Sequence, residues 1–311
     1  MPVIVADRLG RCDTPAFEFL RLIKCDLPIV LVSRVADFQF NNDLYKLDKF
    51  LLCDFVENGW QWDMKDGHHW GKNTEKFDFL QSDEYKKFDE FIASKPPELT
   101  FCRELLEKDV TEILRPIEYV NWQAGFAINS RESYLARPIE WFNFWGRSSE
   151  YRVQFHGDVW KGASKFDYSV CDNIYFFDKF MQDEKGKKVV SLWMPHYHRI
   201  ELKNLLAINS MSKLSISLYG AGTKCFRTTG ESCCNSLMVK QQDFVAYTFP
   251  FKHMENCLTF PSVYADVDIL NSFLSYGNIY ELYCECVNTA NKYRVENYIP
   301  FLEKKINAAI S

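Results

Sequence analysis

The sequence has no apolar run of the roughly 18 to 20 residues that a membrane-spanning helix needs. After Met1 it continues directly into the strand-like segment PVIVAD, without the basic stretch and apolar core of a secretory signal peptide. It also lacks a surplus of positive charge, since 42 acidic residues against 37 basic ones give a formal net charge of −5. A nucleic acid is therefore not expected as the main partner. We expect a cytoplasmic protein with no transmembrane segment.

Two further absences concern cysteine and low-complexity sequence. The 11 cysteines form no Cys-x-x-Cys pair, and most lie in apolar runs such as LLCDF and LYCECV, so we expect buried, reduced thiols. No segment is compositionally biased, and 47% of the 311 residues are hydrophobic. This composition is typical of a globular chain, and the length favours two domains of about 150 residues each.

Residues 2–33 have the pattern of a β-α-β unit, in which two apolar strands flank a helix with Thr14 as N-cap and Pro15 at its first position. Continuous apolar strands joined by a helix predict a parallel sheet covered on both faces. Further along the first domain the sequence predicts strands over Phe50–Phe55 and Ile117–Trp122, and helices over Asp83–Ala93 and Arg103–Leu114.

A second domain is predicted to begin near Pro138 with the strand IEWFNFW, which ends at Gly146. The remaining predictions for this domain are strands over 189–194, 214–218 and 244–248, helices over 225–238 and 279–290, and a break or kink at Pro300 before a last helix. The expected division is therefore 1–137, 138–285 and 286–311, with the terminal helices packing back towards the first domain.

The segment Leu214–Glu231 carries the most specific chemistry. Leu214, Ile216 and Leu218 alternate with serines, which predicts a strand with one buried face, and Gly220 and Gly222 then form a turn before a helix. Such a turn directs backbone N–H groups and the positive end of the helix dipole at one point. Thr223, Lys224 and Arg227 lie in or directly after the turn, so this point suits a phosphate group. The simpler alternative is a turn that only ends the strand.

Arg227 and Glu231 are four residues apart and therefore lie on one face of the predicted helix. They pair with each other, or Arg227 binds phosphates while the Glu231 carboxylate accepts hydrogen bonds from a diol such as ribose. Arg147 follows the strand that ends at Gly146. If this strand and Leu214–Leu218 belong to one parallel sheet, Arg147 faces the same crevice as the Gly220 turn, because ligands of open α/β sheets bind beyond the carboxyl ends of the strands.

Two loops of the first domain offer a general base. Asp13 follows the first strand, although capping of the next helix is its simpler role. His68 lies in the loop GWQWDMKDGHHWGKN, whose rings and polar groups suit sugar recognition, or which the tryptophans merely hold against the domain. No metal is expected, because His196-x-His198 lacks a third ligand of matching spacing and Asp266-x-Asp268 suits a helix start.

Residues 139–295 resemble the exostosin-like glycosyltransferases, a family of the two-Rossmann-domain class called GT-B. The matching features are Phe144-Trp145-Gly146-Arg147, the segment LSISLYGAGTKCFRTTGE, Pro250-Phe251 with Glu255-Asn256, and Tyr293-Arg294. The resemblance implies an α/β fold with two Rossmann-like β/α/β domains facing each other across a cleft.

The expected function is transfer of a sugar from a nucleotide-diphosphate sugar to a glycan acceptor, inverting and without a metal or other cofactor. An alternative is a glycan-binding module that kept the fold and lost turnover. A phosphotransferase is disfavoured because the sequence has no GxxxxGK[ST] loop.

Overall fold

The computed structural model describes residues 2–8, 14–33, 38–56, 82–122, 127–146, 168–171, 189–194, 202–218, 235–261 and 266–310. These residues form two parallel sheets with helices. The first sheet has the order β1-β2-β3-β4-β5, and neighbouring strands are parallel throughout. Its strands are β1 (Val3–Val5), β2 (Ile29–Val32), β3 (Leu51–Asp54), β4 (Leu99–Cys102) and β5 (Leu114–Pro116).

Both faces of the first sheet are covered, which explains why its central strands β2, β3 and β4 are buried and mostly apolar. On one face, Ile29 and Leu31 pack with Phe19 of helix α1 (Thr14–Leu20). On the other face, Val30 and Val32 join a separate cluster that contains Phe88 and Phe91 of helix α2 (Asp83–Ser94) and the segment around the 3₁₀ turn Asn42–Lys46. The predicted β-α-β unit at residues 2–33 is confirmed, except that the helix begins at Thr14 itself.

The second sheet has the order β11-β10-β9-β6-β8-β7 and is also parallel throughout. Its strands are β6 (Ile139–Gly146), β7 (Tyr168–Cys171), β8 (Val189–Met194), β9 (Ser212–Ser217), β10 (Leu237–Lys240) and β11 (Leu258–Thr259). The accompanying helices are α3 (Arg131–Leu135), α4 (Leu202–Ser210), α5 (Val267–Phe273), α6 (Ile279–Lys292) and α7 (Val295–Ile310). Two parallel α/β sheets confirm the predicted fold class.

Helix α6 confirms the clearest helical pattern of the sequence. Ile279, Leu282, Tyr283, Cys286, Val287 and Ala290 are all buried. The helix packs on the second sheet, where the backbone N–H of Met238 donates to Cys286 Sγ at 3.4 Å. Within the described ranges, no disulfide joins the cysteines, of which five are buried, as predicted, and Cys284 is half-buried; the buried ones are Cys25, Cys53, Cys102, Cys257 and Cys286.

Two predictions were wrong for one shared reason. The helix predicted over Arg103–Leu114 is absent; β4 precedes this segment, a 3₁₀ turn (Glu107–Asp109) lies within it, and β5 begins at its end. The strand predicted over Phe244–Thr248 is also absent. Backbone groups of the two segments pair with each other instead: Ala246 N donates to Leu105 O at 2.7 Å and Glu107 N donates to Phe244 O at 2.9 Å. These hydrogen bonds join segments that lie far apart in the sequence, and they replace those of the predicted helix and of the predicted strand.

Three smaller corrections follow from the structure. No strand forms over Ile117–Trp122, where the backbone N–H of Asn121 donates to Tyr293 O at 2.8 Å. The helix predicted over 225–238 cannot extend to its predicted end, because β10 begins at Leu237. Pro300 does not break the chain, since it lies inside α7, which begins five residues earlier at Val295.

None of the helices in the described ranges is long and apolar enough to cross a bilayer.

Candidate functional site

The strand order of the second sheet reverses between β6 and β9. After β6 the chain adds β7 and β8 on one side, then crosses to add β9, β10 and β11 on the other. Strands β6 and β9 are directly paired, with Trp141 opposite Leu214 and Phe142 opposite Ser215. Segments that leave the carboxyl ends of two such strands diverge and leave a crevice between them, which is where ligands bind in open α/β sheets.

The two segments that the sequence predicts as a donor site both begin at this point. Arg147 directly follows β6, and the segment predicted as a glycine turn comes after Leu218, the residue next to the end of β9. The condition for a shared crevice, that both strands belong to one parallel sheet, is confirmed. The predicted site residues themselves, Arg147, Gly220, Gly222, Thr223, Lys224, Arg227 and Glu231, lie outside the described residues.

Strand β9 differs from its prediction in burial. Leu214, Ile216 and Leu218 are buried as expected, but Ser215 and Ser217 are buried as well. Both faces of this strand are therefore covered at these positions. The alternation of Leu or Ile with Ser does not separate core from solvent. The face opposite Leu214 and Ile216 carries Lys213, Ser215 and Ser217.

A buried ion pair that the sequence analysis missed lies beside this crevice. Lys240 ends β10, where it is paired with Ser217 of β9. Its Nζ is 2.7 Å from Asp243 Oδ2 and 4.4 Å from the ring centre of Tyr247, whose hydroxyl also donates to Asp243 Oδ2 at 3.1 Å. Because Asp243 neutralises Lys240, the pair adds no net charge, and it holds the segment that follows β10.

Asp13 and His68 also lie outside the described residues, but the strands before them are defined. Asp13 lies between β1 and α1, and His68 lies between β3 and α2. Strand β1 is at the edge of the first sheet and β3 is in its middle. Because the sheet is parallel, the carboxyl ends of its strands lie on one side, and both segments start on that side.

The sequence also did not predict the buried charged residues on that side of the first sheet. Asp54 ends β3, and Arg103 and Glu104 follow β4; all three are at most 2% exposed. Asp54 Oδ1 accepts from Val56 N at 2.8 Å, Arg103 Nε lies 3.4 Å from Glu104 Oε1, and Arg103 NH1 donates to Tyr119 Oη at 2.7 Å. The Asp54 contact fixes Val56, which lies at the start of the segment that contains His68.

The described residues contain no group of three His, Cys, Asp or Glu side chains that could hold a metal ion. Asp266 accepts from Asp268 N at 2.8 Å and caps helix α5, which confirms helix-start chemistry for Asp266-x-Asp268. His196 and His198 lie outside the described residues.

No protein-family model matches the chain, and no curated protein matches it in sequence. Solved structures with a similar fold include Anabaena HepE in complex with UDP and glucose, at 12% identity, covering 100% of this chain and 99% of that one with a TM-score of 0.49. They also include TarM (13% identity, 96% and 58% covered, TM-score 0.45) and the pneumococcal O-GlcNAc transferase GtfA in complex with UDP and GlcNAc (10% identity, 91% and 53% covered, TM-score 0.37).

The chain spans little more than half the length of several of these proteins, including 57% of the matched chain in the GtfA/B complex.

Proposed function

We propose that the chain is a glycosyltransferase that moves a sugar from a nucleotide-diphosphate sugar to a glycan acceptor. The observation that supports this proposal is the position of two sequence features in the second sheet. Arg147 and the glycine turn follow β6 and β9, the paired strands on either side of the point where the strand order reverses. A cationic, glycine-containing segment at such a point suits a diphosphate.

In this proposal the donor is held by the second sheet. Backbone N–H groups of the turn from Gly220 to Thr223 meet the diphosphate, Lys224 and Arg227 balance its charge, and Glu231 accepts hydrogen bonds from the ribose. Arg147 approaches the same group from the neighbouring strand. Stabilisation of the diphosphate as it leaves supplies most of the catalysis, which we propose is inverting.

The first sheet is proposed to hold the acceptor and the general base. We also propose the division into 1–137, 138–285 and 286–311, and it is supported by contacts of the last helix with the first part of the chain. Tyr298 Oη donates to Glu118 Oε2 at 2.8 Å, and Lys24 N donates to Glu303 Oε1 at 2.7 Å. Membership of the exostosin-like family and a cytoplasmic location stay predictions.

Nucleotide binding is the sharpest test of this function. In thermal-shift titrations with UDP-, GDP- and ADP-sugars, one series should stabilise the wild-type chain by about 2.7 kcal/mol at a ligand concentration of 100 times its Kd. Arg227→Ala should weaken that binding by about 1.5 to 3 kcal/mol, or roughly tenfold to more than a hundredfold, because a charge-assisted contact is lost.

Arg21→Ala is the matched control, since Arg21 is an exposed arginine of the first domain whose Nη1 lies 3.9 Å from Glu18. It should leave nucleotide affinity unchanged. Unaltered binding in a folded Arg227→Ala variant would overturn the assignment of Arg227. If no nucleotide sugar binds the wild type, the glycan-binding module becomes the better explanation.

Turnover is expected to persist in excess EDTA, because the proposal assigns the diphosphate charge to Lys224, Arg227 and the helix dipole. The measurement is the initial rate of sugar transfer with and without the chelator, after dialysis of the protein against it. Loss of activity in EDTA with recovery in Mn²⁺ would contradict the electrostatic account and require a carboxylate or histidine ligand.

A further inference from the structure

A cavity of about 260 Å³ lies where three parts of the chain meet: strands β4 and β5, residues Tyr247 and Thr248, and helix α7. Its wall is about equally polar and apolar, and the apolar part includes Phe101 and Phe301. The volume lies just below the roughly 300 to 1,000 Å³ that is typical of ligand pockets, so it suits a small molecule. The cavity is lined by the β5 edge of the first sheet and by Tyr247, whose hydroxyl donates to Asp243 of the Lys240–Asp243 pair.

Three charged side chains line the same cavity, Glu112, Arg115 and Lys305. Arg115 Nε donates to the backbone oxygen of Glu112 at 3.0 Å, which fixes the guanidinium beside the opening. Lys305 Nζ lies 5.6 Å from the ring centre of Phe301. In the part of the chain that the structure describes, neither cation forms an ion pair with a carboxylate. Two cations against one carboxylate leave a formal charge of about +1 among these lining side chains.

We propose that this cavity binds a small amphipathic anion, with a short apolar tail or ring and one carboxylate head. The apolar part of the wall removes the tail from water, and Arg115 and Lys305 bind the head. Such a ligand contacts β4 and β5, the segment at Tyr247, and α7 together. This proposal does not depend on glycosyl transfer.

Decanoate is a suitable probe, with decanol as its uncharged counterpart, titrated calorimetrically into the full chain. Wild type should bind decanoate saturably with an affinity at least tenfold higher than for decanol. The double variant Arg115→Gln/Lys305→Gln should weaken decanoate binding at least tenfold and change decanol binding less than twofold. Glu112→Gln should tighten decanoate binding a few fold, because it removes a repelling charge.

Two matched pairs of variants locate the site. Lys304→Gln removes the same charge from helix α7 as Lys305→Gln does, but at an exposed residue that does not line the cavity. It should leave decanoate affinity unchanged. Ala309 lines the cavity and its exposed neighbour Ala308 does not. Ala309→Trp should therefore abolish binding of both probes, while Ala308→Trp should not. Absence of saturable decanoate binding, or binding that survives Ala309→Trp, would overturn the proposal.

Discussion

Arg137→Met is expected to lower the free energy of unfolding by about 3 to 5 kcal/mol, since it leaves several buried oxygen atoms without donors. Arg137 is 7% exposed. Its NH1 group donates to the backbone oxygens of Ser212 at 2.7 Å and Asn235 at 2.5 Å, and its NH2 group donates to Asn129 Oδ1 at 2.8 Å and Tyr283 Oη at 3.2 Å. One side chain thus ties the starts of β9 and β10 to helix α6.

Two aromatic rings add to this contact. The guanidinium carbon of Arg137 lies 4.8 Å from the ring centre of Tyr134 and 4.9 Å from that of Tyr283. Burial lowers the pKa of the Arg137 guanidinium, because its partners are neutral oxygens and ring faces that replace water only in part. Methionine keeps much of the apolar volume, so the measured loss reports the charged contacts.

The measurement is urea denaturation of both proteins, and the matched control is Arg131→Met. Arg131 is an arginine of helix α3 whose NH1 lies 2.7 Å from Glu281 Oε1, but both side chains are at least half exposed. An exposed ion pair contributes about 0 to 1 kcal/mol, so this variant should unfold close to wild type. Equal losses in the two variants would contradict the central role of Arg137.

The elements that could be predicted from the sequence are those whose partners are local. The β-α-β unit at residues 2–33 and helix α6 were predicted because the apolar spacing of each element matches the face that it buries. The predictions over Arg103–Leu114 and Phe244–Thr248 failed because their backbone groups pair with each other. No local pattern contains that information, since the two segments lie far apart in the sequence.

The same distinction applies to the candidate site. The sequence located the glycine turn and Arg147, and it predicted strands before both. It could not establish that β6 and β9 are neighbours in the sheet, because β7 and β8 come between them in the sequence. The Lys240–Asp243 pair was missed for a related reason: Lys240 ends β10 and Asp243 lies in the irregular segment after it, where spacing does not predict contact.

Asp13→Asn is expected to lower the rate of sugar transfer by about 10² to 10⁴-fold, because an inverting reaction needs a base to take the proton of the acceptor hydroxyl. Asp13 follows the first strand of the first sheet and directly precedes Thr14, where helix α1 begins. It is therefore also suited to cap that helix. Asparagine keeps an oxygen that can cap the helix but cannot accept the proton, so the substitution separates the two roles.

His68 is the competing candidate. It comes after β3, which is the middle strand of the same sheet. The pH dependence of kcat/KM distinguishes the two bases in the wild type. A histidine base loses activity as the pH falls through about 6.5, whereas a carboxylate base keeps it to a pH near 4. We place Asp13 ahead of His68, and therefore expect the activity to persist below pH 6.

Asp26→Asn provides the matched control, because Asp26 is an exposed aspartate of the same domain and the substitution removes the same charge. It should transfer sugar at the wild-type rate. In Asp13→Asn, donor affinity and the unfolding midpoint should stay near wild type, since the proposed donor site belongs to the second sheet and asparagine keeps an oxygen that can cap the helix. Full activity in Asp13→Asn together with its loss in His68→Ala would move the base to the segment after β3, whose start is held by Asp54 and Arg103.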